Sequence, residues 1–148
     1  MKYGLYLMYF QREWRSDLHF YLEMLPHISE MGFDIVEAMT NDLMQMTEEE
    51  LEKLKICCEK NHITLTAGGG MSRSFDISSD NISVRKAGIK RIKSFLPVLK
   101  RLKIQKLCGM FYSYWMYDYS SGFDKKRAWK NSIECMREIA DMLQDRCV

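Results

Sequence analysis

An α/β fold with parallel strands is predicted by three features of the sequence. Short β-rich runs (KYGLYLMYF, FDIVEAM, HITLTAGGG and IQKLCGM) are each followed by a stretch with apolar residues at helical spacing. Capping residues and glycines fall at the joins. The resulting four strands and four helices alternate strictly, and strands joined by helical crossovers run parallel with right-handed connections.

The opening KYGLYLMYF, bounded by polar residues, reads as a buried strand. In the first helix Leu18, Tyr21, Leu25 and Ile28 share a face, Gly32 stands where a C-cap glycine belongs, and Pro26 is expected to kink or split the helix. FDIVEAM is the second strand. Thr47-Glu48-Glu49-Glu50 is a capping box, because a Thr hydroxyl accepts from the first-turn amides while a Glu three residues on reaches back. It starts a helix from about Glu48 to Lys60 with Leu51, Leu54 and Cys58 on one face. HITLTAGGG is a third strand ending in glycines. Val84, Ala87, Ile92, Phe95, Leu99 and Leu102 mark a long helix, bent at Pro97. IQKLCGM is the fourth strand, and CGMFYSYWMYDYSSG, Cys108 to Gly122, reads as an aromatic-laden loop after it. Trp129, Ile133, Met136, Ala140 and Leu143 mark the last helix.

Two architectures fit this order: a small open doubly wound sheet, or half of an eight-stranded barrel. In both, the strand C-terminal ends carry the functional loops. At 148 residues with 47% hydrophobic content the chain suits one domain with a real core, residues 1–148. A net charge of +2 gives no reason to expect a nucleic acid, and no apolar run reaches the roughly 20 residues of a membrane span. The N-terminus lacks a small-residue cleavage site and carries Arg12 and Glu13, so it does not read as a signal peptide. The 5 cysteines are odd in number and without C-x-x-C spacing, which points to reduced thiols and a cytoplasmic protein. The 3 histidines form no ligand pattern.

The opening MKYGLYLMYFQREW, GFDIVE at 32–37, ITLTAGGGMS at 63–72 and YSYWMYDY at 112–119 resemble the D-tagatose/D-psicose (D-allulose) 3-epimerase family of xylose-isomerase-like (β/α)8 barrels. The resemblance runs from Met1 to about Arg146 and selects the second architecture: a (β/α)4 half of a TIM (β/α)8 barrel. It implies a ketose bound at the strand C-terminal ends, where aromatics cover the sugar's C–H faces. Tyr6, Trp14 and Trp115 would line that pocket, Gly68 and Gly109 would let the backbone come close, and Met110 would replace a smaller family residue beside the sugar.

The family's chemistry is proton abstraction at C3 of a ketose, with two glutamates as base and acid and a divalent metal (Mn, Co or Mg) on the sugar oxygens. Those groups belong to strands five to eight, which the resemblance places beyond Val148. No catalytic residue and no metal ligand is therefore assigned within this chain, a metal is expected only in a complete barrel, and the chain alone is expected to be inactive. Glu37 is the best-placed carboxylate and reads as a satisfied rim group. Open strand edges and an uncovered inner face invite association. The expected partner is a second copy, as a homo-oligomer of half-barrels, or a complementary C-terminal half. A competing reading is a non-enzymatic assembly module using the basic segment 85–106, which has nine Lys and Arg and no acid. Ala67-Gly68-Gly69-Gly70 matches neither phosphate-binding glycine motif and reads as a tight turn.

Overall fold

Four strands lie in one sheet in the order β1-β2-β3-β4, in a computed structural model that describes residues 1–11, 17–118, 122 and 124–144. The strands are β1 (Gly4–Tyr6), β2 (Ile35–Met39), β3 (Thr64–Met71) and β4 (Leu107–Tyr114), and the helices are α1 (Leu18–Glu30), α2 (Thr40–Leu43), α3 (Glu48–Lys60), α4 (Ile82–Arg101) and α5 (Lys125–Gln144). β1 pairs parallel with β2, and β2 with β3. The alternation expected of half a (β/α)8 barrel is present, with α2 as an extra turn. The chain divides into two compact units: one of Met1–Gly68 and Pro97–Cys108, the other of Gly69–Leu96 and the described residues from Gly109 onward.

In the first unit α1 packs on α3. Tyr21, Leu25 and Ile28 of α1 and Leu51, Leu54 and Cys58 of α3 are buried, as are Val36 and Ala38 on the helix side of the sheet. Each fully buried Leu or Ile contributes about 1.5–3 kcal/mol. The Asp17 side chain accepts from the Phe20 amide at 3.0 Å and starts α1. Gly32, at φ +86, follows the helix end in the left-handed conformation that favours glycine. α1 is one unbroken helix from Leu18 to Glu30, so Pro26 does not split it. The capping box on α3 forms as expected: the Glu50 amide donates to Thr47 Oγ1 at 3.3 Å, and the Thr47 amide donates to Glu50 Oε2 at 2.7 Å. The opening segment departs from expectation, since the strand covers only Gly4–Tyr6 and Leu7–Phe10 form a 3-10 turn. Within β1, Gly4 and Tyr6 are exposed, so this is not the buried strand the sequence suggests.

In the second unit Gly88 is buried, and a side chain there would collide with the Phe75 carbonyl and Ile77, which brings α4 against residues 73–77. Arg91 lies over the rings of Phe75 and Phe95, at 5.9 and 5.0 Å. Phe95 meets Phe111 edge-on with centroids 6.2 Å apart. The aromatic run is therefore not all loop: β4 continues through Phe111 to Tyr114, and Phe111 is buried. Tyr114 and Tyr117 stack at 4.5 Å. β3 likewise runs on past its glycines to Met71.

α5 is held by Arg127 paired with Asp80, and by Asn131 Nδ2 donating to the Ser79 carbonyl at 3.0 Å. Its buried residues are Ala128, Asn131, Cys135 and Ile139. This corrects the sequence reading, because Trp129, Ile133 and Met136 are exposed. The small residues face inward because they let the helix backbone come close to what it packs on.

Candidate functional site

β2 alternates strictly. Val36 and Ala38 face the core, while Ile35, Glu37 and Met39 are partly open on the opposite face. The register sets Tyr6 beside Glu37, Thr66 on the other side of Glu37, and Gly68 beside Met39. Parallel partners share a face, so the first unit presents a row of Tyr6, Glu37 and Thr66.

Three groups converge on Glu37. A Cβ on Gly68 would collide with Glu37 Oε1, so glycine leaves the carboxylate its place. The Cys108 thiol is hydrogen-bonded to Glu37; burial first, then the Glu37 charge and that bond, hold its pKa above the ordinary thiol value against the opposing pull of Lys106. Tyr6 is raised likewise, by burial first and then by the charges of Glu37 and Asp42. The Tyr6 hydroxyl lies 2.7 Å from Met8 Sδ and 2.8 Å from Met39 Sδ, and its one proton serves one sulfur at a time. Thr40 Oγ1 donates to the Gly68 carbonyl at 3.1 Å and anchors this end of β3. The cluster offers one strong acceptor beside two donors that keep their protons, a set matched to hydroxyl groups of a polyol.

In the second unit Gly109 sits at φ +117, and a side chain there would run into the Gly69 carbonyl. Gly70 borders the Met110 carbonyl and the Trp115 side chain, each 3.9 Å from where its own Cβ would stand. The Trp115 amide donates to the Met71 carbonyl at 3.0 Å, while its indole is 64% exposed. A fixed backbone with an open ring suits a stacking surface. The Trp115–Met116 peptide bond is cis.

Of the residues singled out from sequence, Tyr6 and Gly68 meet at Glu37, and Gly109 and Trp115 lie against glycines of β3. Met110 contributes its carbonyl there, and Trp14 lies outside the described residues. Sequence reasoning passed over Cys108 and Met39. Alternation along β2 would have placed Met39 on the face of Glu37, whereas Cys108 depended on knowing where β4 begins. Among the described residues no three of His, Cys, Asp and Glu come together as metal ligands. Also among the described residues, no helix is long and apolar enough to cross a membrane.

The D-psicose 3-epimerase of Ruminiclostridium cellulolyticum is 35% identical over 144 residues, 97% of this chain and 48% of the relative. That of Agrobacterium fabrum is 32% identical over 145 residues, 98% of this chain and 49% of the relative. A solved structure of D-psicose 3-epimerase with D-tagatose, from Clostridium cellulolyticum H10, superimposes with a TM-score of 0.90 at 34% identity, covering 98% of this chain and 49% of the other. The chain thus spans about half the length of the curated relatives it matches. The sequence profile described as xylose isomerase-like TIM barrel matches residues 25–148. With the parallel strand order and alternating helices, this match shows that the chain belongs to the xylose isomerase-like TIM barrel family.

Proposed function

We propose that these residues are the N-terminal half of a ketose 3-epimerase-like barrel, one (β/α)4 domain over residues 1–148 that supplies a sugar-binding wall. The observation that carries this reading is the cluster at Glu37, with Tyr6, Cys108 and Gly68 around one carboxylate. The half-length similarity to D-psicose 3-epimerases supplies the substrate class. Tyr6 and Gly68 beside Glu37 are assigned to the sugar's hydroxyls, and Trp115 is assigned to its C–H face by the resemblance. Trp14, Gly109 and Met110 are assigned to ketose binding by the resemblance alone. Turnover needs catalytic groups that this chain does not supply and a complementary half would bring, so the chain by itself is inactive. The described cysteines are free thiols, which supports a reducing, cytoplasmic setting.

Calorimetric titration with D-fructose, D-tagatose and D-psicose tests binding, and an epimerase assay tests turnover. The expected results are no conversion by the chain alone, and conversion once the C-terminal half of a D-psicose 3-epimerase and Mn²⁺ or Co²⁺ are added. Glu37→Gln and Trp115→Ala should each weaken ketose binding in that complex by about tenfold, the worth of one charged hydrogen bond or one aromatic face. Turnover by the chain alone would sink the half-site reading, and a reconstituted complex that binds no ketose would sink the sugar assignment.

The basic segment gives the competing module little support. Arg91 is spent on Phe75 and Phe95, Arg101 pairs with Glu48 and Glu52, Lys103 with Glu59, and Arg85 Nη1 donates to the Ser79 carbonyl.

A further inference from the structure

Asp76 and Ser78, in the loop between β3 and α4, are buried polar residues of the second unit, and the Glu37 cluster uses neither. A carboxylate taken out of water is costly unless donors meet it. Asp76 Oδ1 accepts from the Ser78 amide at 2.9 Å and from the Ser78 hydroxyl at 2.6 Å. The loop that carries them is fixed from two helices. Arg85 of α4 donates to the Ser79 carbonyl at 2.7 Å. Asn131 of α5 donates to the Ser78 and Ser79 carbonyls at 3.3 and 3.0 Å, and Arg127 pairs with Asp80. The buried pair is therefore a fixed post.

Tyr117 is tied to that post. A carboxylate only accepts, so the single Ser78 proton goes to Asp76 and leaves Ser78 Oγ an acceptor. The Tyr117 side chain is hydrogen-bonded to Ser78, and in this order its hydroxyl is the donor. Burial raises the Tyr117 pKa, against the bond to Ser78 and helped by the charge of Asp76, so the phenol keeps the proton that it gives. The Tyr117 ring in turn stacks on Tyr114 at 4.5 Å, and the Tyr114 hydroxyl accepts from the Asp118 amide at 2.9 Å. Trp115 and Met116 lie between these two rings in the chain and are 64% and 75% exposed. An indole so open makes few contacts of its own, and its direction follows from the backbone anchored on either side of it.

We propose that Ser78 and Tyr117 are positioning residues for Trp115: the buried Asp76–Ser78 pair fixes Tyr117, and the Tyr117–Tyr114 stack aims the indole. This rests on the reading above only for what the indole meets, the C–H face of a ketose. A ring aimed in advance loses less freedom when a ligand covers it, so the effect falls on affinity.

The test reads the indole directly. In the full chain carrying Trp14→Phe and Trp129→Phe, time-resolved anisotropy follows Trp115 alone, and circular dichroism confirms the fold of each variant. Ser78→Ala and Tyr117→Phe should each enlarge the fast component of the decay, because the freed ring moves within nanoseconds. The double variant should match either single one, since both break the same link, whereas two independent packing losses would add. Catalysis supplies the second readout, in chains that keep Trp14 and Trp129 and are joined by the C-terminal half of a D-psicose 3-epimerase and Mn²⁺. There each single variant should raise KM for D-psicose by about fivefold, the worth of one ordinary hydrogen bond, with kcat unchanged. A kcat that falls with the folded fraction while KM stays in place is a structural loss and overturns the positioning role. An indole no freer in either single variant overturns it too, as do effects that add in the double variant. An indole set free with KM unmoved leaves the aiming in place and overturns the ketose contact of Trp115 instead.

Discussion

The Glu37 carboxylate stands so close to Gly68 that a side chain there would collide with it. Neighbouring strands thus share one small volume, filled from β2 and left empty by β3, and the position of the charge depends on a residue that has no side chain.

Gly68→Ala should drive the carboxylate out of its place. The expected cost is about 1 kcal/mol or less, because the carboxylate ends a flexible, partly open side chain that can swing aside. Glu37→Asp in the Gly68→Ala background should recover part of it, because the shorter acid withdraws from the new methyl. Urea denaturation of the two single variants and the double variant gives the coupling.

Two other glycines separate backbone strain from collision. At Gly32 a Cβ meets nothing within 4 Å, so Gly32→Ala bears only the cost of the left-handed φ, about 1 kcal/mol. Gly109 has both a positive φ and the Gly69 carbonyl in the way. Gly109→Ala should cost about 2–4 kcal/mol. Equal losses at the two sites would show that the close approach of Gly109 to Gly69 is absent in solution.

The capping box predicts a graded pair of effects. Thr47→Ala removes the side chain that accepts from the Glu50 amide and should cost about 1 kcal/mol. Glu50→Ala removes a carboxylate that accepts from the Thr47 amide and from Thr47 Oγ1, both exposed bonds, while the Thr47 hydroxyl can still accept from the helix amide, and should cost less. The reverse order in thermal denaturation would contradict the cap geometry.

Alkaline pH should unfold the protein earlier than its surface charge suggests. Burial first, then the charges near it, push the Cys58 thiol from 9.0 up to about 12. A raised folded-state value means that the contribution is complete below pH 9.0 and is lost as pH climbs toward about 12, because the unfolded thiol ionises first. Tyr21 is raised by burial and adds in the same direction. Unfolding free energies between pH 8 and 11, read against Cys58→Ala, should show a shallower decline in the variant.

Features fixed by local chemistry were readable before any coordinates. The Thr47–Glu50 box, the Gly32 end of α1 and the Tyr21–Leu25–Ile28 face each depend on residues within one or two turns of each other. What was not readable depends on the partner surface. In α5 the sequence offers a stripe of large apolar residues and an adjoining one of small residues, and periodicity favours the large. The fold buries Ala128, Asn131 and Cys135, because close approach selects for small size. The run from Cys108 read as loop, yet β4 continues through it to Tyr114. Of the candidate site, Tyr6 and Gly68 were named from resemblance, whereas the role of Cys108 required knowing that β4 carries it to Glu37.

Two of the three tryptophans, Trp115 and Trp129, are open to water. Their emission in the dilute protein should already sit near the wavelength of free indole, so these two rings report little of unfolding. The same exposure makes them sensitive witnesses to anything that covers either ring. If Trp115 takes the proposed ketose contact, a blue shift should grow with added ketose, and the spectrum follows that contact without a label.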